Sequence, residues 1–65
     1  MDIQAIGQGF GATEVQFNAV SDAGKAALQA IGGGFACIGM TVRKSSAGDA
    51  IQALAAQGVS VSWVG

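Results

Sequence analysis

Eight consecutive uncharged residues, FACIGMTV at 35–42, leave a folded chain few places to put them. Both alternating sets, Phe35/Cys37/Gly39/Thr41 and Ala36/Ile38/Met40/Val42, are apolar or small. A strand built from them has two dry faces, which is the pattern of a strand in the middle of a sheet. Gly32, Gly33 and Gly34 interrupt regular structure before it. Arg43, Lys44, Ser45 and Ser46 follow it with the basic and hydroxyl residues that suit a helix start.

The rest of the chain reads around that stretch. Residues 2–6, DIQAI, alternate over a short span and predict a strand with Ile3 and Ala5 on one side. Glycine at 7, 9 and 11 leaves the backbone too free to hold a ladder or a helix, so a loop or wide hairpin turn is expected there. The GxGxG has the spacing of a phosphate-cradling loop but not its context, because strand rather than helix follows. Residues 14–20, EVQFNAV, alternate cleanly, with Val15, Phe17 and Ala19 inward and Gln16 and Asn18 outward.

Ser21 and Asp22 then form an N-cap pair opening a helix with Gly24, Ala27, Leu28 and Ile31 on its apolar stripe, and the glycine run ends it. Ser45 or Ser46 opens a second helix, with Ala47, Ala50, Ile51, Leu54 and Ala55 on one stripe and Gly58 after it. A last strand over 59–64 puts Val59, Val61 and Trp63 inward and Ser60 and Ser62 outward. Laid over 45–64 at an offset of 24, residues 21–40 match at five positions, so the pattern repeats more clearly than the letters.

These elements predict a single small α/β domain over residues 1–65, of β-β-α-β-α-β order. Three parallel strands are expected, joined by right-handed crossovers, with 35–42 in the middle, two short helices on one face and an antiparallel N-terminal edge strand. The opposite face would then be bare. Ile38, Met40 and Val42 would form its apolar stripe, and Gln16, Asn18, Ser60 and Ser62 its polar rim. An apolar stripe with such a rim predicts an interface between copies of the chain, unless the 7–11 loop with Phe10 folds over it.

Composition sharpens that expectation. A chain of 65 residues buries only about 60% of the surface its unfolded form exposes, so its core needs a supplement. Cys37 is the lone cysteine, histidine is absent, and the four carboxylates are scattered, so neither a disulfide nor a metal cage is expected. With 51% apolar and 11% charged residues, sharing apolar surface with a dimeric or larger assembly of itself, and then with a protein partner, is the remaining route.

Candidates for chemistry are few. Arg43, Lys44, Ser45 and Ser46 lead into a helix N-terminus and form a candidate anion- or nucleotide-binding site. Lys25, Arg43 and Lys44 are the only cations and net charge is −1, which argues against a nucleic-acid footprint. Asp22 and Asp49 suit the first turn of a helix, where the macrodipole favours an acid. Cys37 reads as a core thiol, because mid-strand burial disfavours the thiolate. Phe17, Phe35 and Trp63 read as core, and Phe10 is open. No acid–base pair, catalytic residue or cofactor is expected, so the reading is non-enzymatic.

Met1-Asp2-Ile3-Gln4 lacks the basic and apolar regions of a secretory leader, which predicts an intracellular, cytoplasmic protein. Residues 26–42 carry no charge and match the short limit of a spanning segment. A membrane-active peptide inserting 26–42 is the third reading; Gln29, the glycine run and the change of pattern at Phe35 argue against it.

Overall fold

Strict alternation decides the centre of the sheet. A computed structural model describes residues 1–7 and 13–64, with β1 at Ile3–Gly7, β2 at Glu14–Ala19, α1 at Asp22–Gly32 and β3 at Met40–Arg43. A 3-10 turn at Lys44–Ser46 leads into α2 at Ala47–Ala56, and β4 spans Val61–Trp63. β1 and β2 pair antiparallel with Ile3 opposite Ala19 and Ala5 opposite Phe17. The pairing puts Ile3, Ala5, Val15 and Phe17 on one face, and all four are fully buried.

The sheet grows outward from this hairpin in the order β3-β2-β1-β4. β3 joins β2 antiparallel, with Met40 opposite Phe17 and Val42 opposite Val15, and β4 joins β1 parallel, with Val61 opposite Ile3 and Trp63 opposite Ala5. The sheet is therefore mixed. β1, β3 and β4 run one way and β2 runs against them.

Both helices lie on the face that carries Ile3, Ala5, Val15 and Phe17, and Leu28 from α1 and Leu54 from α2 complete one core with Ala27, Ala36, Ala47 and Val59. Complete burial of a leucine stabilises by about 1.5–3 kcal/mol, so these two hold the helices to the sheet. α1 starts where the sequence predicts: the Ser21 hydroxyl accepts from the Gly24 N–H at 3.0 Å. Gly24 is buried against β1, and a Cβ there would run into the carbonyl oxygen of Asp2. Gly33, at φ 95°, ends the helix in the backbone region that favours glycine.

The expected arrangement of strands is corrected in three respects. Residues 35–42 do not form the central strand. Only Met40–Arg43 is extended, and it lies at an edge. Ahead of it, successive i→i+3 bonds coil the chain, with Ala36 N–H donating to Gly33 O, Ile38 N–H to Phe35 O and Gly39 N–H to Ala36 O. Strand β1, expected at the edge, is internal. Three strands do not run parallel in the order β2, β3, β4, because β2 opposes its neighbours.

The physical reason is the number of layers. With both helices on one side, a strand of this sheet needs only one dry face, so two-sided hydrophobicity earns no place at the centre. The repeat is likewise only a repeat of helices. α1 connects antiparallel neighbours, whereas α2 connects β3 to β4, which run alike at opposite edges.

Candidate functional site

The face of the sheet that no described helix covers is polar. Alternation from the buried positions leaves Gln4, Ile6, Gln16, Asn18, Thr41 and Ser62 on it, with Glu14 opposite Arg43 at one end. The Gln16 side-chain amide donates to Asn18 Oδ1 at 3.1 Å. Gln16, Asn18 and Ser62 lie where the sequence puts them, but the expected apolar stripe does not. Met40 and Val42 align with Phe17 and Val15 on the core side and pack against the core. Ile38 lies in the turn before β3, and Ser60 precedes β4. The residues expected to make one interface are thus divided between two sides of the molecule. The reason is register: β3 meets β2 with its even-numbered residues inward.

The apolar surface lies elsewhere. Phe35 is 87% exposed and Ile38 77% exposed in the turn that leaves α1, and Trp63 is 55% exposed on β4. Phe35 and Trp63 are corrected from core to surface; Phe17 is core as expected. Cys37 is half-buried in the same turn rather than within a strand, and its Sγ–H lies 3.6 Å from Gly34 O. The possible cover from Phe10 concerns residues 8–11, outside the described residues.

Arg43, Lys44, Ser45 and Ser46 are brought together at the end of β3 and the entrance of α2. All four are exposed, and Thr13 and Glu14 line the same shallow groove. The Lys44 N–H donates to Thr13 O at 2.7 Å, which fixes the turn beside β2. Ser46 occupies the N-cap position of α2 with its backbone already helical and makes no side-chain cap hydrogen bond. The expected cap therefore gives way to a 3-10 entrance, and the hydroxyls are not used as caps. Glu14 opposite Arg43 sets a carboxylate against the candidate anion site.

Asp2 is the polar centre that the sequence reading missed. Its Oδ1 accepts from the Ser21 hydroxyl at 2.7 Å, and its Oδ2 accepts from the Ser60 N–H at 3.0 Å and the Ser60 hydroxyl at 3.3 Å. The Asp2 N–H returns a bond to Ser60 Oγ, and its carbonyl oxygen accepts from the Val20 N–H. One residue thus ties the start of β1 to the β2–α1 junction and to the approach to β4. The Ser60 N–H, followed by the Ser21 hydroxyl, holds the Asp2 carboxyl below its ordinary value near 3.8. The available signal was Asp2 and Ser60 standing just before two strands, but nothing in their separation pairs them.

Among the described residues, no helix is long and apolar enough to cross a membrane. Residues 26–42 are divided among α1, the turn and β3. Comparison with protein-family models, with curated proteins and with solved structures finds no match.

Proposed function

We propose that this protein is a small non-enzymatic module that works by association, first with copies of itself and then with a protein partner. The observation that carries this reading is the set of large apolar side chains left outside a small core: Phe35, Ile38 and Trp63 are each more than half exposed. In a domain of 65 residues, moving such groups into a shared interface adds the burial that one copy cannot make for itself. Phe35 and Ile38 lie in the turn that leads into β3 and Trp63 lies on β4 at the other edge, so they offer two separate places for contact, whereas the sheet face away from the helices carries mainly amides and hydroxyls.

Molar mass by light scattering across a concentration series at neutral pH tests the reading. A mass that reaches a multiple of 6.4 kDa supports it. A mass equal to one chain at every concentration overturns self-association and leaves only a foreign partner.

A second reading is an anion site at Arg43, Lys44, Ser45 and Ser46. It is favoured by two cations beside a helix entrance whose serines do not cap it. Inorganic phosphate should then raise the melting temperature of the protein and not of the Arg43→Ala/Lys44→Ala variant. Equal shifts in both would remove the site.

A further inference from the structure

The two edges of the sheet are guarded differently. At the β3 edge, Arg43 ends the strand and Lys44 follows it, and charges at an edge discourage pairing with another chain. At the β4 edge the described residues supply no such guard. No charged residue follows Asp49, proline is absent from the chain, and Trp63 and Val64 are exposed.

The hydrogen-bond pattern shows which groups this edge offers. Ser60 O accepts from the Ile3 N–H at 3.0 Å, and the Val64 N–H donates to Ala5 O at 3.0 Å. Alternation along a parallel ladder turns Ser62 toward β1 and points the N–H and C=O of Val61 and Trp63 away from the sheet. Those four groups have the spacing of an open ladder.

We infer that β4 pairs antiparallel with β4 of a second copy about a two-fold axis through Ser62, extending the sheet across the dimer. The inference rests on the self-association proposed above and adds its location. An antiparallel pair centred on Ser62 sets Val61 opposite Trp63 of the other copy, and these two residues exchange both backbone bonds. The pattern satisfies all four outward groups and is its own complement. Trp63 and Val61 lie on the helix side of the sheet, so the pairing lays each exposed indole against a valine, an aromatic and β-branched pair. Ser62 lies on the polar face and meets its own copy across the axis. An edge without charge does not repel its copy, and it offers a charged foreign strand no attraction, so the second copy is the occupant.

The axis gives a direct test, because a charge at 62 faces itself in the dimer. Ser62→Lys and Ser62→Glu should each run at half the mass of the wild-type dimer at matched concentration, with unchanged far-ultraviolet circular dichroism. An equimolar mixture of the two should regain the dimer mass through opposite charges. In the wild type, the Val61 and Trp63 amides should exchange with deuterium more slowly as concentration rises, a readout that needs no substitution.

A wild-type assembly that both variants retain, or concentration-independent exchange at 61 and 63 within an assembly, overturns the β4 pairing while leaving self-association standing. A wild type that is one chain at all concentrations overturns both.

Discussion

The β1–β2 hairpin and the segment 35–42 are both rich in apolar side chains, and they lie on opposite sides of the solvent boundary. Ile3, Ala5, Val15 and Phe17 are fully buried, whereas Phe35 and Ile38 are among the most exposed large side chains of the described residues. The hairpin alternates and the segment does not. In a sheet covered on one face, a strand whose neighbours point alternately to oil and water has one register to adopt, and a uniformly apolar strand has two. What selects the centre is the contrast along the strand, and total hydrophobicity is a poor guide to it.

Substitutions in the two regions should differ accordingly. Phe17→Ala should have the largest effect, about 3–5 kcal/mol for a fully buried phenylalanine, enough to remove the cooperative thermal transition of so small a domain. Phe35→Ser should fall within about 0.5 kcal/mol of the parent monomer's stability in urea unfolding at low concentration. A Phe35→Ser loss approaching that of Phe17→Ala would break the contrast.

Between these extremes stands Gly24, where helix propensity and packing disagree. Alanine gains about 1 kcal/mol in a helix interior, but its Cβ here meets the Asp2 backbone. Gly24→Ala should therefore destabilise by about 1–3 kcal/mol, the cost of forcing packed backbone apart. Denaturant midpoints decide the sign.

A smaller effect, visible mainly in acid, belongs to Asp2. Its carboxyl is held lower in the folded chain than its ordinary value near 3.8, so its contribution is fully present above that value. It is lost as pH falls through the lowered folded value. Melting temperatures of the parent should drop across that acidic window, and those of Asp2→Asn should start lower at neutral pH and drop less. Parallel curves would separate Asp2 from the acid sensitivity of the fold.

Much of the local structure was legible. The Ser21 cap, the inward set of β2 and the buried helix positions Gly24, Ala27, Leu28, Ala47 and Leu54 follow from spacing that the chain displays openly, whereas Ile31 and Ala55, expected on the same stripes, are exposed. The order of strands was not legible. It depends on which partner each strand finds, and Ile3 of β1 pairs with Ala19, 16 residues away, on one side and with Val61, 58 residues away, on the other. The segment after the glycine run is exposed because apolar character alone does not fix burial. Three backbone turns there give the chain a compact bend, and exposure follows from geometry. The candidate anion residues were found as a cluster, whereas the carboxylate across from them needed the β2–β3 register to be seen.

Strand β1 is bound by the nearest strand in the sequence and by the most distant one. As the polypeptide is synthesised, the hairpin can close once Ala19 is free of the ribosome, but the other edge of β1 stays open until Trp63 follows. Closing a loop of this length is entropically slow, and contacts of such separation delay folding. Until β4 docks, the chain therefore presents the future centre of its sheet to proteases and chaperones. Docking of β4, with Ser60 reaching Asp2 from 58 residues away, is the event that ends that exposure.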